Sequence, residues 1–519
     1  MSVTGIPSMF YIISCFQSPT SVCLIAGFCL MIVCKCIRAR TIPPGPWALP
    51  ILGSVGFFRA FKRRRHLILS DLSEKYGNIF SVYAGTQLVV FLNGYDVIRE
   101  AFVKKAAVFS DRPSWLPSLQ YGLSEGKGLV WQEAIHAGAA RKFARQALRE
   151  FGLGRRSLQD KVLQETSYIS HVFKEEIGKP FTLKPTLKKA ITNIIHDVIF
   201  GKRLDLNDDE LSRLIQLIDE FFKGGLFIPK NFLPGIIRYF LPENEAVYNK
   251  KQTTINHLKK YIYDRISEHE RNFDNNNIRD FVDLYVNFSK QEDSNISKGE
   301  VFRMILDLFL AGSETTASTL DWCFMFMVKY PAIQENCFLE IRKLQKIQPE
   351  MEQIDWSHRH HLPYIEATIA EIQRLAVIVP LGLPHMASED ATLQGYAIPK
   401  NTIVFGNLYS CSMDSNAWSN VNDFKPERHL DEHGQFKRNE RLIPFSIGPR
   451  MCLGDSMARL EIFLMFSNLI RQFKFTKYGE GSLSATHVKE NHPISSAENF
   501  QVMIEERFDG IEVTNNLIG

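Results

Sequence analysis

The sequence predicts a mainly α fold with small β-sheets (α+β), a single large catalytic domain behind an N-terminal membrane anchor. Three observations carry that expectation. Apolar residues recur at helical spacing along most of the chain, as at 67–76 and 211–222, whereas only a few short runs such as 87–92 are β-like. No linker, charge block or internal repeat divides the 519 residues. The first 34 residues differ in kind from the rest of the chain.

Between residues 9 and 34 there is no charged side chain, and the apolar or small run 22–34 is followed by Lys35, Arg38 and Arg40. That run suits a bilayer if Pro19 only kinks the helix. A cleaved signal peptide would need positive charge before the run and a small-residue cleavage site after it, and neither is present. Positive charge on the C-terminal side keeps the rest of the chain in the cytosol. Pro43-Pro44-Gly45-Pro46 then makes a stiff spacer. Residues 1–34 read as anchor, 35–46 as a basic, Pro-rich hinge and 47–519 as the domain.

Composition suits a deep core: 45% hydrophobic, 12% aromatic and 23% charged. A net charge of +4 without strong clustering argues against nucleic-acid binding. Of nine cysteines, Cys15, Cys23, Cys29, Cys34 and Cys36 lie in or beside the apolar run. Cys323, Cys337, Cys411 and Cys452 are far apart and form no CxxC pair, which speaks against disulfides or zinc and for a reducing compartment. Residues 274–277 read as a surface turn. Gly152-Leu153-Gly154 lacks the third glycine of a nucleotide fingerprint and follows no convincing strand. The segment 221–242 mixes large apolar residues with Gly and Pro, and reads either as a loop folded on the core or as a dip into the membrane beside a substrate entrance.

The stretch Phe445-Ser446-Ile447-Gly448-Pro449-Arg450-Met451-Cys452-Leu453-Gly454 precedes an amphipathic run over 455–470. Gly448 and Pro449 turn the chain, Gly454 permits close backbone approach, and Cys452 sits where amides at a helix start stabilise a thiolate. A cysteine of low pKa is the result, fit to be a nucleophile, a redox thiol or a metal ligand. Upstream, a long apolar helix over 301–328 contains Ala311-Gly312-Ser313-Glu314-Thr315-Thr316. Asp307, Glu314 and Asp321 recur every seven residues, and for Asp307 and Asp321 a solvated stripe suffices. Glu314 differs, because Gly312 thins the helix beside it and the Thr315 hydroxyl comes directly after.

The cysteine stretch resembles the haem-binding signature of the cytochrome P450 family, Phe-x-x-Gly-x-Arg-x-Cys-x-Gly, with every specified position present. The resemblance implies the cytochrome P450 fold, haem b (iron protoporphyrin IX) as cofactor, and Cys452 as the thiolate ligand of iron. It further implies that Arg450 holds a haem propionate, together with Arg112, Arg141 and His385, and that Phe445 packs near the cysteine. The second block resembles the family's distal oxygen motif, which would include Gly312, make Thr315 orient a hydrogen bond to dioxygen and make Glu314 relay protons. Glu371 and Arg374 match the family's ExxR pair, completed by Arg428, a triad that would fix the cysteine loop. One departure stands out: the family usually has Trp four residues before the arginine at Arg141, where this chain has Ala137, and Trp131 is out of register.

Residues 364–400 and 302–322 resemble microsomal family-two enzymes, nearest their U subfamily of fatty-acid hydroxylases. The resemblance implies an endoplasmic reticulum membrane protein facing the cytosol, with a lipophilic substrate, NADPH-cytochrome P450 reductase as electron donor and cytochrome b5 as a second one. The pocket would be lined from 377–383, 309–315 and the stretch after Trp115, and Arg141, Lys142, Arg145 and Arg149 would form a basic stripe that steers an acidic reductase. Two rival functions are a reductase-independent haem-thiolate isomerase or dehydratase, which has no need of Glu314 and Thr315, and a catalytically silent haem-binding membrane protein, in keeping with Ala137.

Overall fold

The computed structural model describes residues 41–49, 52–54, 65–113, 128–151, 156–222, 245–290, 296–480, 483 and 494–507, with isolated positions within 23–29. Apart from those positions the anchor expected over 1–34 lies outside the described residues, as do the glycines at 152–154, the segment 223–242 and the pocket stretch after Trp115. No helix among the described residues is long and apolar enough to cross a membrane.

The chain begins with α1 (Arg65–Tyr76), β1 (Ile79–Ala84), β2 (Gln87–Asn93), α2 (Tyr95–Arg99), a π-helical turn at Glu100–Lys104 and α3 (Ala106–Phe109). A helical body comes next: α4 (Ala134–Phe151), α5 (Arg156–Glu175), α6 (Leu183–Phe200), α7 (Asp209–Phe222), α8 (Glu245–Arg271), α9 (Phe281–Ser289), α10 (Lys298–Lys329), α11 (Pro331–Ile347) and α12 (Pro363–Ala376). The last part holds β3 (His385–Met386), β4 (Ala391–Leu393), β5 (Tyr396–Ile398), β6 (Ile403–Asn407), α13 (Leu408–Ser412), α14 (Asp455–Gln472), β7 (Phe473–Tyr478) and β8 (Gln501–Glu506). The helices and the strand expected at 67–76, 211–222 and 87–92 fall within α1, α7 and β2, and 274–277 is a turn between α8 and α9.

The helix α10 is the axis of the molecule. It starts at a reciprocal cap, where the Glu300 amide donates to Ser297 Oγ at 3.2 Å and the Ser297 amide donates to Glu300 Oε2 at 2.8 Å. Its 32 residues span about 48 Å at about 1.5 Å per residue. Because α6, α12 and α14 pack round it, almost every side chain from Val301 to Val328 is buried. The exceptions matter: Ala311 is exposed, and Leu308, Gly312 and Thr315 are partly open. These four positions share one face of the helix, which is open along its middle.

A four-stranded sheet of order β1-β2-β6-β3 stands beside this body. β2 pairs antiparallel with β1 and parallel with β6, in register Val89 with Ile403, while β3 sets His385 opposite Val404. β2 is buried on both faces: Val90 and Leu92 belong to one apolar cluster, Val89 and Phe91 to another. That explains its unbroken apolar run.

Candidate active site

The cysteine loop is shaped by one glycine. Gly448 has φ +82°, and a Cβ there would lie 2.0 Å from the carbonyl oxygen of Phe102, so the loop rests against the π-helical turn at Glu100–Lys104. The Met451 amide donates to Gly448 O at 3.1 Å, and the Cys452 amide donates to Phe445 O at 3.0 Å. The chain then enters α14. Cys452 is open to solvent although protein surrounds its sulfur. Burial pushes its thiol up, and this outweighs the Gly454 amide and the Arg141 and Arg459 charges that pull it down. The low pKa expected from the helix start alone is therefore corrected: desolvation exceeds the amide field. Phe445 does pack at the loop, with the Arg459 guanidinium 4.7 Å from its ring centre.

Beside the loop lies a cluster of cations with no acid at ion-pair distance among the described residues. Arg112 is 3% exposed and donates to carbonyls: Nε to Val130 at 3.2 Å, Nη1 to Leu383 at 3.2 Å and Pro384 at 2.6 Å. Arg450 Nη2 donates to Val130 O at 3.0 Å and Gln132 O at 2.8 Å, and Arg141 Nη2 to Met451 O at 2.7 Å. Three buried nitrogens, Arg450 Nε and Nη1 and Arg141 Nε, have no partner. Burial lowers all three guanidinium pKa values, Arg450 to about 10, and neighbouring guanidinium charges add to the effect, Arg145 in the case of Arg141. No carboxylate reaches these arginines at ion-pair distance among the described residues. The site is built for an anion.

His385 completes the cluster, stacked on Phe102 at 3.8 Å between ring centres. Its Nδ1 donates to Phe109 O at 2.6 Å, and burial beside Arg112 holds the ring neutral. A neutral ring with that donor committed has only a lone pair on Nε2. It donates to a carboxylate only after taking up a proton, which a neighbouring anion favours.

On α10, Thr315 lies on the open face, and its hydroxyl donates to Ala311 O at 2.7 Å. Glu314 does not share that opening: its side chain is buried and ion-paired to Lys188 of α6. A Cβ on Gly312 would meet Ile195 Cδ1 at 2.7 Å, so its smallness also admits α6. One expectation changes here. Asp307 and Asp321 are 4% and 3% exposed, and the solvated stripe does not exist. Asp307 Oδ2 accepts the amides of Leu129 at 2.6 Å and Val130 at 3.0 Å, and Arg303 lies 3.3 Å from Oδ1. A heptad of acids shows which face they share; it does not show that three other helices enclose the axis.

On α12, both Glu371 oxygens are taken by Arg374, from Nε and Nη2 at 2.8 Å each, and Arg428 Nε reaches Oε1 at 2.8 Å. His429 Nε2 lies 3.0 Å from Oε2 and the Lys425 amide donates to Oε1 at 3.1 Å. Arg374 also donates to the carbonyls of Ser412, Val421 and Asp423. The triad thus clamps the chain between α13 and the cysteine loop.

The cytochrome P450 family profile matches residues 43–490. This chain belongs to the cytochrome P450 family. Among curated proteins it is 37% identical to cytochrome P450 2U1 of Bos taurus over 472 residues, which cover 84% of each chain. It is 35% identical to cytochrome P450 2U1 of Rattus norvegicus, with 84% of this chain and 86% of that one covered. Cytochrome P450 2J2 of Homo sapiens is 34% identical, with 86% and 88% covered. The chain is a microsomal family-two P450 near the U subfamily, an oxidoreductase of the haem-thiolate monooxygenase type, and haem b is its cofactor.

Against the family pattern, Ala137 leaves α4 unbroken, and Trp131 packs instead against the sheet cluster that contains Phe80, Phe91 and Phe405. Arg141 turns inward to Met451, so the exposed basic stripe on this P450's α4 is Lys142, Arg145 and Arg149. Sequence reasoning missed Lys188, His429 and Glu461. Lys188 could have been noticed as a lysine sharing a helix face with Ile191 and Ile195, and His429 as the neighbour of Arg428. Glu461, in the middle of α14, is 1% exposed and its Oε1 has no partner. Burial pushes its carboxyl up to about 8, with the Thr316 hydroxyl opposing.

Proposed function

We propose that this chain hydroxylates lipophilic molecules, long-chain fatty acids foremost, with electrons from NADPH-cytochrome P450 reductase and with cytochrome b5 as a second donor. The observation that carries this reading is Cys452 just before α14 beside Arg112, Arg141 and Arg450, three arginines with no acid at ion-pair distance among the described residues, two of which hold buried nitrogens without a partner. A dianionic, iron-bearing group fits that donor set. Arg112, Arg141 and Arg450 would hold the propionates, His385 would join them once protonated, and Cys452 would ligate the iron. Bound haem with a thiolate ligand supplies electron transfer and the activation of dioxygen.

The chain's own residues supply the rest. Thr315 presents a hydroxyl on the open face, and Glu314, one residue away, supplies the proton that oxygen activation requires. Ile378, Val379, Leu381 and Leu383, all partly open, line an apolar pocket that excludes water and accepts an aliphatic chain. Similarity to cytochrome P450 2U1 supports the fatty-acid reading. Residues 1–34 anchor the protein in the endoplasmic reticulum membrane, 35–46 form the hinge, and the domain from 47 faces the cytosol.

The test is the reduced, carbon-monoxide-bound difference spectrum, followed by turnover of a fatty-acid series with purified reductase. The red-shifted Soret band of thiolate ligation should appear and vanish in Cys452→Ala, and hydroxylated product should require reductase. A glycan at Asn287 would place the domain in the lumen and overturn the orientation.

A further inference from the structure

Glu314 is enclosed, and an acid that delivers protons needs a route from water. Its side chain is 6% exposed. Lys188 of α6, 7% exposed, contacts two carboxylates at once through Nζ: Glu314 Oε2 and Asp219 Oδ1 of α7. Asp219 is 46% exposed and forms the wet end of this line. Glu314 also faces Lys184 of α6 at 4.0 Å and, on its own helix, the Ser318 hydroxyl at 3.3 Å. Lys184 also lies 3.9 Å from the buried Asp321 and donates to Ser496 Oγ at 3.0 Å. Asp219–Lys188–Glu314 is thus a continuous hydrogen-bonded line from the surface to the residue beside Thr315.

We propose that Lys188 is the positioning residue through which Glu314 is recharged with protons from the surface at Asp219. Water protonates the Asp219 carboxylate. The Lys188 ammonium gives one proton to the Glu314 carboxylate and takes one back from Asp219, so one proton moves inward while Lys188 and Asp219 return to their starting states. Without Lys188, the buried Glu314 carboxylate would lose the ammonium that contacts it directly. This inference rests on the reading of Glu314 as the proton donor.

The test compares Glu314→Gln, Lys188→Met, Asp219→Asn and the Lys188→Met/Glu314→Gln double variant. The first readout is product formed per NADPH consumed, from about pH 6 to about pH 9. The second is urea unfolding of the haem-free protein. The proposal expects Glu314→Gln and Lys188→Met each to lower coupling about tenfold, the double variant to fall no further, and Asp219→Asn to lower coupling most at the alkaline end. In the haem-free protein, the Lys188 and Glu314 substitutions should be non-additive. If Glu314→Gln lowers coupling while Lys188→Met or Asp219→Asn leaves its value and pH profile unchanged, the route is overturned and the reading of Glu314 stands. Additive unfolding effects likewise overturn it. If Glu314→Gln itself changes nothing, the reading of Glu314 falls, and the inference with it. Should Lys188→Met fail to fold or to retain haem, the half-exposed Asp219→Asn decides alone.

Discussion

Glu371 accepts from five donors on Arg374, Arg428, His429 and Lys425, and these hold its carboxyl down at about 2 against the desolvation that raises it. A depressed carboxylate stabilises the fold above its unfolded pKa of about 4.3, and that stabilisation, roughly 3 kcal/mol, drains away as pH falls from there towards 2. Glu371→Gln should cost about 3–5 kcal/mol in urea unfolding at neutral pH, since Arg374 loses its buried counter-charge, and the gap to wild type should narrow below about pH 4. The arginine cluster predicts opposite signs in two states. Arg450→Gln relieves repulsion among Arg112, Arg141 and Arg450, so it should stabilise the haem-free protein by about 1 kcal/mol while speeding haem loss to a scavenger several-fold. Equal destabilisation of both states would sink that account.

At the scale of elements, Glu461 on α14 meets Thr316 on α10, tying the helix after the cysteine loop to the helix that bears Thr315. Its folded pKa, about 8, exceeds the unfolded value, so the stability it permits is whole below about pH 4.3 and falls as pH rises towards 8. Glu461→Gln lacks that fall. Its stability relative to wild type should climb steadily between those limits, which urea titrations at several pH values measure. Periodicity made the helices legible, α10 above all, and the cysteine motif made the ligand legible. What stayed hidden was partnership across elements: that Asp307 caps the amides of Leu129 and Val130, that Gly312 admits Ile195, and that Lys188 seizes Glu314. Each is a contact between residues more than a hundred positions apart, and no local pattern encodes it.

At the scale of the molecule, Arg141 joins α4 to the cysteine loop, which sets Lys142, Arg145 and Arg149 on the exposed side of that same helix. Such a stripe steers an acidic partner over a range comparable to the Debye length, about 8 Å in physiological salt. Arg145→Glu should slow reductase-supported turnover about tenfold at low salt and far less at high salt, with the dithionite-reduced carbon-monoxide spectrum intact. An equal loss at every ionic strength would assign Arg145 to another role. The four-stranded sheet has a temporal consequence. β2 carries its partner β1 at once, but its other edge waits for β6, whose Ile403 pairs with Val89, so a ribosome must add some three hundred residues before that edge is covered. Until then a strand as apolar as β2 presents unsatisfied amides to the solvent. Chains stalled short of β6 should therefore be the species that chaperones hold and proteases clear.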